Sequence, residues 1–84
     1  MDRFQEMQVF AAVAQDQGFS AAARRLGMSA ASVTRAVAAL EQRLGTSLLT
    51  RTTRSVHLSE SGQRYLEDCR RILAEVQEAE DSAA

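Results

Sequence analysis

The chain has 84 residues, enough for one domain, and its 45% hydrophobic and 25% charged content excludes a disordered polyelectrolyte. Proline is absent and alanine supplies fifteen residues, so helices are expected; no apolar run nears the roughly eighteen residues of a membrane span. The net charge of −1 conceals segregation: residues 1–16 carry −2, residues 17–59 carry +5, and residues 60–84 carry −4.

Taken in chain order, Asp2 caps a first helix over residues 3–16. Phe4, Met7, Phe10, Ala11 and Ala14 form its apolar stripe, and Gly18 closes it in a left-handed cap. Ser20 caps a short helix over Ala21–Leu26 that ends at Gly27. Ser29 caps a third, running to about Leu44 and closed by Gly45, with Val33, Val37, Leu40 and Leu44 along one face. From Leu48 the period changes. Leu48–Arg51 and Ser55–Leu58 are β-prone runs flanking Thr52, Thr53 and Arg54, which predicts two short strands with an arginine near the tip. Ser59 opens a last helix reaching toward residue 80. On it Tyr65, Cys69, Ile72, Val76, Ala79 and Ala83 alternate four- and three-residue steps, a heptad seam. A helix of this length is not stable alone and needs both a partner helix and the preceding domain.

The N-terminal stretch, the lack of a long apolar run and the single cysteine make a cytoplasmic protein with no membrane partner the default expectation. MDRFQEMQVF mixes acids into its apolar residues, unlike a secretory leader, and one cysteine closes no internal disulfide.

Phe19–Ala38 has the spacing of a helix-turn-helix. Ala23 is small where two helices cross, Gly27 permits the turn, and Ala22, Leu26, Met28, Val33 and Ala36 are apolar where the pair faces its core. Such a unit lays the start of its second helix in the DNA major groove, here presenting Ala30, Ala31, Ser32, Thr34 and Arg35. Arg35 reads guanine or clamps a phosphate, Ser32 and Thr34 donate hydrogen bonds, and the alanines meet thymine methyls. The hairpin acts as a wing with Arg54 at the minor groove. All ten basic residues are arginine, the side chain suited to bidentate contacts.

The stretch FSAAARRLGMSAASVTRAVAALEQRLGTSLLTRTTRSVHLSESG resembles the N-terminal DNA-binding domain of LysR-type transcriptional regulators. Its most specific pieces are Phe19 to Ala23, Arg35 with Leu40-Glu41, and Leu44-Gly45 followed by Leu48-Leu49 and Arg51. Arg54, Leu58-Ser59 and Gly62 complete it. The resemblance implies a mainly α fold. Residues 1–58 form a winged helix-turn-helix, with the motif at about 19–38 and the wing at about 48–58; residues 59–84 form a linker and dimerisation helix. It also implies a homodimer, often a tetramer at full length, on imperfect AT-flanked inverted repeats. A C-terminal domain binding a small-molecule effector is expected beyond this chain, which itself implies no cofactor.

Carried over by position, recognition-helix contacts fall on Ala30, Ala31, Thr34 and Arg35, and the wing contact on Arg54. Ser32, Arg51 and Thr53 complete the candidate DNA-binding set, and Tyr65, Cys69, Ile72, Val76 and Ala79 the dimerisation set. The family often has glutamine or proline at the positions of Ala30 and Ala31, and phenylalanine at that of Leu49. Arg51 either touches a phosphate or pairs with Glu41. Arg24 and Arg25 form a solvated face, and His57 is structural or exposed. Cys69 reads as a small hydrophobe on the seam. An enzyme is not expected: one histidine and one cysteine build no zinc site, and no phosphate-cradling glycine loop is present. The rival reading is a winged helix that binds protein through its acidic last helix.

Overall fold

A computed structural model describes residues 1–52 and 55–84. Helix α1 (Arg3–Asp16) leads through a two-residue link into α2 (Phe19–Leu26), which turns into α3 (Ala30–Leu44). Strands β1 (Leu49–Arg51) and β2 (Val56–Leu58) pair antiparallel, with Leu49 opposite Leu58 and Arg51 opposite Val56. Helix α4 (Glu60–Ala83) completes a mainly α winged helix-turn-helix.

Local chemistry explains the helix starts. The Asp2 carboxylate accepts from the Gln5 amide at 2.7 Å while the Gln5 side chain accepts from the Asp2 amide, a reciprocal capping box. Ser29 and Ser59 cap α3 and α4 by accepting from the amides of Ser32 and Gly62. At the α1–α2 link the expected caps shift by one residue. Gln17, not Gly18, takes the left-handed conformation (φ 55°), because Gly18 serves as the extended N-cap of α2. Ser20 consequently lies inside the first turn of α2 and caps nothing.

Phe10, Val13, Val33, Val37, Leu40, Leu48 and Cys69 are fully buried and form the centre of the core. Because α1 packs against α2, α3 and α4 together, its buried face is broad and includes Val9, Ala12 and Val13. The expected stripe is therefore rotated: Phe4 is exposed, and Ala11 and Ala14 lie at the core edge. Leu44, in the last turn of α3, is also exposed rather than part of that helix's core face. Glu6 is the one buried charged residue among those described, and it accepts from Arg43 at 2.6 Å, which ties α1 to α3. Removing one partner from such a pair leaves an uncompensated charge, so the pair acts mainly as an orientation lock.

The start of α4 is held against the wing. Ser59 donates its amide to the Leu48 carbonyl at 2.9 Å and its hydroxyl to the Ser47 carbonyl at 2.6 Å. Leu66 and Cys69 are buried about two and three turns further on, after which exposure rises and every residue from 77 onward is exposed. At 1.5 Å per residue α4 is about 36 Å long, in a molecule measuring 44 × 26 × 20 Å. No helix among the described residues is long and apolar enough to cross a membrane.

Gly62 sits where α4 approaches the backbone most closely: a Cβ there falls 2.0 Å from the Leu48 carbonyl oxygen. Alanine gains about 1 kcal/mol in helix propensity over glycine, but a backbone clash at this distance cannot be relieved by a rotamer change. Gly62→Ala is therefore expected to destabilise the domain by about 1–3 kcal/mol net, measured by urea unfolding. An equal or higher midpoint would show that α4 shifts without cost.

Candidate nucleic-acid interface

The α2–α3 crossing is made of small side chains. Ala22, Ala23, Val33, Ala36 and Val37 are buried between the helices, which brings the two backbones close. Gly27 turns the chain with φ 68°, its amide bonding back to the carbonyls of Ala23 and Arg24, and the Met28 amide also reaches the Ala23 carbonyl. Few residues other than glycine adopt that conformation without strain. The result is a fixed start for α3.

On that start Ala30, Ala31 and Arg35 are exposed, while Ser32 and Thr34 are half-buried. Ser29 donates its hydroxyl to Ser32 at 2.9 Å, and Arg35 donates from Nη2 to the same Ser32 oxygen at 3.2 Å. A short polar chain thus holds the Arg35 guanidinium along the helix face and leaves most of its donors open. The face continues through exposed Ala38, Ala39 and Gln42.

Four of the described arginines are held in ion pairs. Arg25, Arg43, Arg64 and Arg71 pair with Asp16, Glu6, Glu60 and Asp68. Among the described residues no carboxylate pairs with Arg24, Arg35 or Arg51, all within the basic middle of the chain. Arg51 resolves its two alternatives against the ion pair. Glu41 instead accepts the backbone amides of Leu48 and Leu49 at 2.7 and 3.2 Å, and the Arg51 guanidinium lies 4.0 Å over the Phe19 ring. Strand alternation accounts for this: Arg51 shares the inward face of β1 with buried Leu49, so its stem runs toward the core edge where Phe19 packs.

Thr53 and Arg54, the expected wing contacts, lie outside the described residues. Beside them Thr52 and Ser55 hydrogen-bond to each other, and Ser55 Oγ lies 2.8 Å from His57 Nε2 on the exposed side of β2. His57 is thus an exposed wing residue.

The expected dimerisation seam divides in two. Cys69 is fully buried within its own chain, and Tyr65 packs its ring 5.5 Å from that of Phe10. Cys69 therefore does not belong to a surface that meets a partner; the heptad step there seats α4 on the core. Ile72 packs partly against the same core, Val76 is half-buried, and Ala79 is exposed. Burial pushes the Cys69 thiol and the Tyr65 phenol above their ordinary ranges.

Sequence reasoning overlooked Phe19 as a seat for Arg51, Glu41 as the acceptor that anchors the wing, and the Glu6–Arg43 lock. Only the first had a local signal, the two-residue alternation from Leu49 to Arg51.

A glycine-turned helix pair, an exposed second-helix start and a two-stranded wing together define a winged helix-turn-helix domain. Residues 4–63 match the family of bacterial regulatory helix-turn-helix proteins of the lysR type, and the chain belongs to that family. It is 46% identical over 81 residues to the HTH-type transcriptional activator AaeR of Escherichia coli K12, covering 96% of this chain and 26% of AaeR. Identity to the HTH-type transcriptional regulator ClcR of Pseudomonas putida is 47% over 70 residues, 83% of this chain and 24% of ClcR. The chain thus spans about a quarter of the length of these curated relatives. Among solved structures it resembles the CbnR DBD in complex with DNA, with TM-score 0.90 and 40% identity, over 99% of this chain and 94% of that one. It also resembles the BenM DBD in complex with catB site 1 DNA, with TM-score 0.93 and 26% identity, over 99% and 91% of the two chains.

The buried, raised thiol carries its own expectation. Less than one equivalent of Cys69 reacts with a maleimide probe until the fold opens, so labelling tracks global unfolding. Both raised groups also lower stability on the alkaline side: the unfolded chain ionises first as pH rises, whereas below the ordinary thiol range neither contributes any pH dependence. Rapid labelling of the folded chain at neutral pH would contradict the burial.

Proposed function

We propose that this chain is the DNA-reading domain of a lysR-family transcriptional regulator, binding duplex DNA sequence-specifically as a dimer at an imperfect AT-flanked inverted repeat. The observation that carries the reading is the exposed start of α3, where Arg35 is steadied by Ser32 and paired with no carboxylate among the described residues. A major groove about 12 Å wide admits a helix presented this way. Arg35 is then the guanine- or phosphate-binding group, Ser32 and Thr34 donate hydrogen bonds to bases or backbone, and the methyls of Ala30 and Ala31 face thymine. Arg51, with Thr53 and Arg54, contacts DNA from the wing.

In this reading α4 joins two protomers through Ile72, Val76 and Ala79, setting the recognition helices about one helical turn, ~34 Å, apart on one face of the duplex. The acidic far part of α4, where residues 75–81 hold four of the seven acids after residue 59, stays clear of the phosphates. The DNA complexes of CbnR and BenM support a nucleic-acid partner. The remainder of the regulator binds a small-molecule effector, and the protein works in the cytoplasm as a dimer or tetramer.

Selection from a random duplex library with the purified chain tests this directly. An inverted repeat with half-sites one turn apart is expected. A folded dimer that enriches no sequence would favour the protein-interaction reading. On the selected duplex, Arg35→Ala is expected to cost about 1–3 kcal/mol and to relax preference at one base pair of each half-site; equal affinity across half-site variants would remove Arg35 from the reading set. Val76→Asp lies beyond the buried core, so the domain should stay folded by circular dichroism and sediment as a monomer. A Val76→Asp variant that remains dimeric would put the interface elsewhere.

A further inference from the structure

We infer that Phe19 is a positioning residue for DNA backbone binding, holding the Arg51 guanidinium over its ring so that Arg51 meets a phosphate with its donors uncommitted. The inference rests on the DNA reading above and adds to it a residue with no polar atom in its side chain.

Arg51 is exposed, yet its guanidinium carbon stands 4.0 Å from the Phe19 ring centroid, within the range of cation–π attraction. Its geometry matters more than its energy. A ring face takes the face of a guanidinium and leaves the N–H groups around the guanidinium edge unused. An arginine paired with a carboxylate, as Arg43 is with Glu6, has committed those donors. Among the described residues Arg51 makes no ion pair, so it is restrained and unsaturated together. A phosphate is the ligand that two parallel N–H donors fit.

The fold supplies both halves of the device from rigid elements. Phe19 is the first residue of α2, packed against the core, and Arg51 ends β1 two residues after buried Leu49. Glu41, the acid that competes for Arg51, is occupied by the amides of Leu48 and Leu49. The stack therefore joins the wing to the first helix of the helix-turn-helix, and a phosphate bound by Arg51 registers both.

The test uses the duplex recovered by selection and compares the unaltered chain with Phe19→Leu, Arg51→Gln and the double variant, each checked for folding by thermal melting. Arg51→Gln is expected to reduce the slope of log K against log salt by about 0.9 for each phosphate it leaves unneutralised. Phe19→Leu, which keeps an apolar side chain, is expected to weaken binding about two- to fivefold per stack. In the Arg51→Gln background the same change should have no measurable effect, and Phe19→Tyr, which keeps the ring, should bind like the unaltered chain. If Phe19→Leu fails to fold, a fluorinated phenylalanine at position 19 retains the shape while removing the negative ring face, and should weaken binding to the same extent. Equal losses from Phe19→Leu with and without Arg51 would overturn the inference, making Phe19 a packing residue only. An unchanged salt slope in Arg51→Gln would overturn it too, making the stack a latch on the wing. No duplex binding by the unaltered chain would instead overturn the DNA reading beneath it.

Discussion

Leu48 is the point at which three elements meet. Its amide donates to the Glu41 carboxylate near the end of α3, its carbonyl accepts from Ser59 at the start of α4, and that same carbonyl leaves no room for a Cβ at Gly62. Its side chain is fully buried. One residue of backbone thus joins α3, the wing and α4 without a flexible linker. The Glu6–Arg43 pair adds a second tie, from α3 to α1, so the exposed face of α3 has a fixed direction relative to α4. In the proposed dimer that direction determines where the second recognition helix falls on the duplex. A change in the junction is therefore felt in half-site spacing as well as in stability.

Packing also decides which side chains remain for partners. The core draws in Tyr65, Leu66 and Cys69 from α4, together with one face each of α1, α2 and α3. The exposed residues include the start of α3, Thr50 and His57 on the wing, and the far part of α4. The charges follow the same division: among the described residues Arg24, Arg35 and Arg51 have no carboxylate partner in the basic middle of the chain, and ten of the eleven acids lie toward the two ends. A protein with a net charge near zero can still present a basic face to a polyanion when its acids are placed where the DNA does not reach.

Features set by local chemistry were legible in the sequence. Asp2, Ser29 and Ser59 cap the helices expected of them because capping needs only a few consecutive residues, and Gly27 and Gly45 close α2 and α3 for the same reason. The exposure of the start of α3 was legible because the helix-turn-helix spacing dictates which side of α3 faces away from the core; Ala30, Ala31 and Arg35 are exposed there and Ser32 and Thr34 half so. The α4 seam was legible as a stripe but not as a contact. A four-three spacing looks the same whether it packs on the chain's own core or on a second helix, and Cys69 went to the core. Gly18 misled because a glycine after a helix suits a C-cap, whereas the immediate start of α2 required it one position later. Glu41 and Glu6 act through partners seven and thirty-seven residues away, which no local pattern encodes, and for the Phe19 contact the alternation along β1 marks only the Arg51 side.

The central claim, that the exposed face of α3 and the wing meet a duplex backbone, is tested most directly by the salt dependence of DNA affinity. Binding of the selected duplex by the purified chain should weaken linearly in log K against log salt, with several phosphates neutralised per dimer at about 0.9 slope units each. A folded, dimeric chain with no measurable affinity for the duplex even at low salt, or with an affinity indifferent to salt, would contradict the account.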